Sequence, residues 1–449
     1  MKIRMPATVK MVLDSLHAKG YEAYAVGGCV RDTILGRKPG DWDITTSALP
    51  QQVKAIFPKT VDTGIEHGTV TVLVGGGAHE VTTYRIDGEY RDCRHPEEVT
   101  FTASLAEDLK RRDFTINAMA YNDEEGLIDL YGGMDDLQKK MIRCVGDPME
   151  RFGEDALRIL RAIRFSAQLS FNIDPETIAG IIRLAPNLEK ISAERIATEL
   201  LKLIESDHPE YLEVAYEAGV TKIILPEFDA CMQTPQNCPY HMYDVGRHTL
   251  AAMKAVQATK VLRLTMLLHD IAKPKMRTTD EAGVDHFKKH PEVGAEMARQ
   301  IMRRLKLDND TIRQVHTLIL YHDWRMEPSA KTVRRAVSVV GPDLFPLLIK
   351  VQTADAMAQS DYRRDETLVR IIRVSQIFDR IKSEGQCVTL KQLSINGKDL
   401  IALGVPAGPA IGEILQKALD TVLDDPEMNK KELLLKCLSG DIQNHTKSL

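Results

Sequence analysis

The chain has 449 residues, of which 43% are hydrophobic and 27% charged, with a formal net charge of −5. Such a length exceeds one ordinary core and predicts three or four domains, while the acidic balance excludes a generic polyanion coat but leaves room for a shaped RNA site with local basic patches. Seven cysteines without CxxC spacing read as reduced thiols rather than a disulfide frame, and no apolar run is long enough to span a bilayer.

In chain order, Val9, Val12, Leu13 and Leu16 have the spacing of an amphipathic helix rather than of a signal segment. Residues 24–26 read as a strand, 31–35 as a short helix and 41–45 as a second strand. Between the strands, Gly27 and Gly28 let the backbone approach phosphate oxygens, and Arg31 is placed to neutralise phosphate charge. Residues two apart on a strand share a face, so Asp41 and Asp43 can close on shared cations while Trp42 points into the core. This is a compact way to hold a nucleoside triphosphate with its magnesium. Residues 70–74 and 79–85 alternate like strands and are joined by a glycine run, 75–77, that reads as a hairpin turn. The hairpin brings Glu80 into the sheet as a third carboxylate.

Mixed α/β patterning ends near residue 145, and from Pro148 the chain reads as helical. Helical spacing is clear over 152–169, 190–205, 246–258 and 293–306, with a linker at 227–240. A long helix is predicted over 364–382 with Gly385 as its stop. Residues 396–409 read as a Gly/Pro-rich loop leading into a final helical pair.

Two further segments carry chemistry. In residues 111–118, Arg112 could grip a triphosphate, and Asp113 could accept from a ribose hydroxyl or cap a helix. In residues 154–165, Asp155 and Arg158 are placed on one helix face. A carboxylate acceptor beside guanidinium donors matches the amino group and ring nitrogen of cytosine and of adenine, and mismatches uracil and guanine twice. Each unmatched buried polar group costs ~1–3 kcal/mol, which allows rejection by roughly 100-fold or more.

The order of these segments (GGxVRD, DxD, RRDFTINA and EDxLRxLRxxRF) closely resembles the class II tRNA nucleotidyltransferases, the bacterial CCA-adding enzymes and their poly(A) polymerase relatives. The resemblance covers most of residues 20–205 and again 394–438. It implies an α+β protein: a polymerase-beta-like nucleotidyltransferase head (1–147), a helical neck with the nucleotide-reading helix (148–228), a helical body (229–362) and a tRNA-binding tail (363–449). It implies that Gly28, Arg31 and Arg112 hold nucleotide phosphates, that Asp41 and Asp43 hold Mg²⁺, and that Asp155, Arg158, Arg161 and Arg164 form the reading helix. The partners implied are tRNA, CTP and ATP, and the reaction is attack of the RNA 3′-hydroxyl on the α-phosphorus with release of pyrophosphate in the cytoplasm. Residues 129–133 match the family's hinge. Residues 87–97 resemble the flexible loop of enzymes that switch from C to A, which favours complete CCA synthesis over a CC-adding enzyme, whereas an A-adding enzyme would also keep this loop. Residues 63–70 favour it over poly(A) polymerase.

The body adds His248, His269, Asp270, His290, His322 and Asp355, in an order that resembles the HD phosphohydrolases. Imidazoles with carboxylates suit a divalent transition metal or magnesium. His248, His269, Asp270 and Asp355 would be the minimal ligands, and His290 and His322 would serve a second ion. A competing reading is a phosphohydrolase whose head is a non-catalytic RNA-binding module. The intact head motifs speak against it.

Overall fold

The computed structural model describes residues 2–88 and 99–446. Apart from residues 87 and 88, the loop expected to serve the switch from C to A lies outside the described residues, as does Cys93. The chain divides into two compact units, Met1–Asp229 and Ala230–Leu449.

In the first unit the helix Ala7–His17 buries Val9, Val12, Leu13 and Leu16, the four residues its periodicity picks out. They pack with Ile44, Val70, Val72 and Val81, β-branched residues from one face of a sheet. The strands are β1 (Ala23–Val26), β2 (Ile44–Thr46), β3 (Thr60–Gly64), β4 (Thr69–Val74), β5 (Gly77–Thr83), β6 (Arg85–Asp87), β7 (Val99–Phe101), β8 (Met119–Asn122) and β9 (Gly126–Asp129). Seven of them form one sheet in the order β3-β4-β5-β2-β1-β8-β9, and β6 pairs with β7 separately. β2 runs parallel to β5 and antiparallel to β1. The β4–β5 hairpin turns through Gly75 (φ 56°) and Gly76 (φ 80°), left-handed values that favour glycine.

Two sequence expectations change here. The second strand begins at Ile44, so Asp41, Trp42 and Asp43 form an irregular lead-in rather than strand. The cause is β1: Val26 N donates to Asp43 O (3.0 Å), and the chain then turns at Gly27 into the helix Gly28–Ile34, leaving Asp41 and Trp42 without a partner strand. Trp42 still packs, partly buried, against the core. The helix expected over 152–169 is two helices, Pro148–Glu154 and Leu157–Leu169, separated at Asp155, whose backbone is extended (φ −136°, ψ 102°).

The second unit is helical. Its helices Val245–Ala255, Lys260–Leu268, His290–Arg304, Asn309–Tyr321 and Phe345–Ala358 precede the long helix Arg364–Ser383, which stops before Gly385 (φ 63°) as expected. A C-terminal core gathers Phe345, Phe378, Leu400, Leu419 and Leu434. Within the predicted loop, Gly397–Ala402 is helical because Asn396 caps it: Asn396 Oδ1 accepts from Lys398 N (2.9 Å), and Asp399 Oδ2 accepts from Asn396 N (2.9 Å). No described helix is long and apolar enough to cross a membrane.

Candidate active site

The turn from β1 into the helix Gly28–Ile34 sets the approach to the acids. Gly27 has φ 80°, and a Cβ built there would lie 3.2 Å from Arg112 Nη1, so the close approach predicted for the glycine pair belongs to Gly27 more than to Gly28. Asp41, Asp43 and Glu80 are all solvent-accessible. Partial burial, and then the negative charges of Asp41 and Glu80, push the Asp43 carboxyl up to about 6 while Arg112 opposes them. Asp43 is thus close enough to sense Asp41 and Glu80, although Asp41 and Asp43 precede the strand that begins at Ile44.

Arg112 is held from behind by Asp108, which the sequence reading missed. Asp108 is fully buried; it accepts from Thr45 Oγ1 (3.0 Å) and Arg111 Nη2 (2.8 Å), and its Oδ2 lies 3.4 Å from Arg112 Nη2. Burial opposes its charge, but Arg111 and Arg112 hold the carboxyl below its ordinary range. Thr45 follows the acidic lead-in, so one buried carboxylate ties that segment to the arginine pair.

A second chain of contacts runs from the phosphate-side residues to the helices. Arg31 Nη1 donates to Asn117 Oδ1 (2.6 Å), Asn117 Nδ2 donates to Asp113 Oδ1 (3.1 Å), and Arg161 Nε donates to Asp113 Oδ2 (2.8 Å). Burial works against the Asp113 carboxylate, yet Arg161 and Asn117 hold it down at about 2.

Arg112, Asp113, Asp155, Arg158, Arg161 and Arg195 line one cavity of about 250 Å³. Asp155 and Arg158 therefore converge, though not as neighbours on one helix. Asp155 sits in the break, where its Oδ1 accepts from Leu157 N (3.0 Å) and starts the second helix, while its Oδ2 lies 2.7 Å from Arg195 Nη2. Arg158 is fixed by Glu154 Oε2 (2.7 Å) and by the carbonyl of Arg111 (3.0 Å). Acceptor and donor are thus each locked by a different partner. Arg164 does not line the cavity. It is buried, donates to Glu199 Oε2 (2.5 Å) and lies 3.9 Å over the Phe165 ring, a packing role within the reading helix.

In the second unit the six residues singled out by their order come together from five helices. His248 Nε2 lies 2.9 Å from Asp355 Oδ1 and 3.6 Å from Asp270 Oδ2, and His269 Nε2 lies 3.2 Å from Asp270 Oδ2. On the other side His290 and His322 place Nε2 at 3.4 and 3.7 Å from Asp270 Oδ1. Asp270 thus stands between two ligand groups. His269, His290 and His322 each place Nδ1 at 2.7 Å from a carbonyl, of Met266, Phe287 and Ile319. Donating there fixes the tautomer and turns the Nε2 lone pairs inward. Both Asp270 oxygens are buried, and the Lys273 ammonium lies 2.7 Å from Oδ2. Burial disfavours charge on His269, but Asp270 and Asp355 outweigh it and push its pKa up to about 10. A proton is drawn to where a cation would sit.

Comparison with known proteins supports both sequence and fold. The "Poly A polymerase head domain" model matches residues 23–143, the "RNA and SrmB-binding site of polymerase A" model matches 170–232, and the "tRNA nucleotidyltransferase domain 2" model matches 290–438. The chain is 52% identical to a CCA-adding enzyme of Leuconostoc citreum, over 96% of each chain, and 37% identical to that of Levilactobacillus brevis, over 95% of this chain and 96% of the relative. Among solved structures it resembles the Bacillus stearothermophilus CCA-adding enzyme in complex with CTP, with a TM-score of 0.72 and 30% identity over 99% of this chain and 100% of that one.

Proposed function

The chain belongs to the CCA-adding enzyme family, and we propose that it builds the 3′ CCA end of tRNA in the cytoplasm through the residues of the head site. Nucleotides come from CTP and ATP, no nucleic-acid template is used, and pyrophosphate is released. The observation that carries this reading is the full-length likeness at 52% identity, which a poly(A) polymerase or a detached hydrolase would not be expected to share.

Asp41 and Asp43, with Glu80 beside them, would hold Mg²⁺, and the raised Asp43 carboxyl supports that fit. When bound there, Mg²⁺ supplies positive charge that acidifies the RNA 3′-hydroxyl and steadies the triphosphate. Arg112, braced by Asp108, neutralises phosphate oxygens that the bare backbone at Gly27 and Gly28 allows close. Arg31 braces this wall through Asn117, and Asp113 fixes Arg161 beneath the ribose. Asp155 accepts from the exocyclic amino group of C or A, and Arg158 donates to the ring nitrogen. Glu80 positions the attacking hydroxyl. The tail helices bind tRNA by shape and phosphate contacts.

A tRNA transcript lacking CCA, and another ending in CC, offered each nucleotide separately, test the reading. C then A on the first transcript supports it; A on the second alone makes the enzyme partial, and long A tails make it a polymerase.

The histidine–aspartate centre supports a second activity, hydrolysis of phosphate mono- or diesters. Asp270 standing between two ligand groups favours a pair of cations, and four imidazoles favour a transition metal over magnesium. Retention of such ions by purified protein tests this. A metal-free protein would leave these helices as RNA-binding body only.

A further inference from the structure

The helices that carry the histidine–aspartate centre also enclose a cavity of about 290 Å³ to which the reaction at the head gives no role. His322 and Asp355, one residue from each ligand group, form part of its wall, so it opens directly on the centre. Arg325, Arg363 and Arg370 also line it, together with Asp323 and Glu366. Arg370 lies on the helix Arg364–Ser383, and Arg363 immediately precedes that helix.

These guanidiniums are poorly neutralised. Arg325 has Asp323 at 3.8 Å, and Arg363 has Glu366 at 3.9 Å, both long contacts between exposed groups. Arg370 is half-buried and has no carboxylate within ion-pair distance among the described residues. Burial, and then the charge of Arg325, lower its proton affinity, with Asp323 and Glu327 opposing. The cavity also carries Asp323, Asp355 and Glu366, so its three guanidiniums offer a phosphate directed donors rather than a uniformly positive wall. Arg363 adopts φ 56°, a left-handed value that a side chain takes at a cost of about 1 kcal/mol and that is worth a look where it occurs beside a site. Gln352 Nε2 donates to the Trp324 carbonyl (3.0 Å), which pins the loop bearing Arg325.

A wider cleft of about 800 Å³ meets the cavity at the same centre; Tyr240, Trp324 and Arg325 line both spaces, and Lys288 and Lys289 line the cleft. Tyr240 is steadied edge-on by Tyr362 (5.1 Å between ring centroids), and Trp324 packs against Tyr321 (5.4 Å). Rigid aromatic surfaces beside cationic walls suit a nucleobase with its phosphates.

We propose that the arginine cavity seats a second phosphate, so that the substrate of the histidine–aspartate centre is a nucleotide carrying two phosphate groups, one at the centre and one among Arg325, Arg363 and Arg370. The proposal rests on the hydrolytic reading of that centre. Hydrolysis forms a bond from water oxygen to phosphorus and breaks the ester P–O bond, and the departing hydroxyl takes a proton from the water. The phosphate in the cavity is bound but not cleaved. An RNA end bearing a terminal phosphate and a free nucleoside bisphosphate share this chemistry.

The test is calorimetry on the full chain with Mn²⁺, using adenosine 3′,5′-bisphosphate, AMP and a 3′-phosphorylated dinucleotide as probes. Wild type should bind the bisphosphate more tightly than AMP. Arg370→Ala and the largely exposed Arg325→Ala should each weaken bisphosphate binding about tenfold, leave AMP unchanged, and leave Mn²⁺ binding by paramagnetic resonance unchanged. Arg370→Lys should recover part of the loss, because it restores charge without the planar fork. Tighter binding of the dinucleotide than of the bisphosphate assigns the site to RNA ends, and the reverse order assigns it to free nucleotides. Equal binding of bisphosphate and AMP by wild type, or undiminished bisphosphate binding by both alanine variants, overturns the proposal with the hydrolytic reading intact. Absence of Mn²⁺ from wild type overturns the hydrolytic reading itself, and with it the claim about substrate.

Discussion

The two centres suited to metal differ in how their charges are held before any cation arrives. In the head, Asp41, Asp43 and Glu80 are solvent-accessible and stand on an irregular segment and a strand, and partial burial with the charges of Asp41 and Glu80 raises the proton affinity of Asp43. In the helical unit, His248, His269 and Asp270 are at most 1% exposed, and three of the four imidazoles are clamped at Nδ1 by carbonyls 2.7 Å away. An open cluster of acids exchanges any cation it holds readily, whereas a buried, pre-oriented cluster holds one longer.

The sharpest way to break that comparison is to remove one ligand from each centre. Asp43→Ala should lower nucleotide incorporation by about 10³-fold, since charge stabilisation worth several kcal/mol is lost, while ions retained by the second unit stay unchanged. Incorporation of labelled CTP, alongside metal content after dialysis, checks both halves. Asp270→Asn should do the converse: retained metal falls to none and CCA addition persists. Loss of both properties in either variant would mean that the centres are not independent.

Much of this division was legible in the sequence. The acids, the glycine pair and the six residues of the histidine–aspartate cluster are legible because each lies in a short motif or in a recognisable order along helices. The β4–β5 hairpin followed from alternation and the first helix from its four apolar residues, whereas β3, β8 and β9 complete the sheet without a signal read from the sequence. What escaped was set by tertiary contact. Asp108 and Asn117 act only through what they touch, and Arg195 reaches Asp155 from a helix forty positions later, which no spacing reveals. The break at Asp155 was hidden because its flanks, 148–154 and 157–169, both have helical period. The carboxylate that interrupts the helix also caps the next one, so a residue read as helical is in fact the hinge between two helices.

That break makes the cavity lined by Asp155 and Arg158 a third case, wired in advance like the histidine centre yet placed in the unit with the open acids. Asp155→Ala should reduce the preference for C and A over U and G by about 100-fold, measured as ratios of kcat/KM on a CCA-less transcript. Arg195→Ala keeps the acceptor but frees it to rotate. It should raise KM for CTP and ATP about tenfold with a smaller change in kcat. Equal effects in the two variants would make Arg195 a base contact rather than a brace.

The smallest expected effect concerns the proton balance of the same cavity. Asp113 is held at about 2 in the folded chain because Arg161 and Asn117 outweigh its burial, against about 3.9 in an unfolded one. A carboxyl whose folded pKa is depressed contributes stability that is present above the unfolded value and is lost as pH falls toward the folded one. Between pH 5 and pH 3 the wild type should therefore lose about 1 kcal/mol of stability that Asp113→Asn, already without the charge, does not lose. Urea unfolding of both proteins across that range measures the difference. Parallel slopes would show that Arg161 gains nothing from the ionised partner, and that the rigidity of the reading cavity comes from packing around Phe165 rather than from its ion pairs.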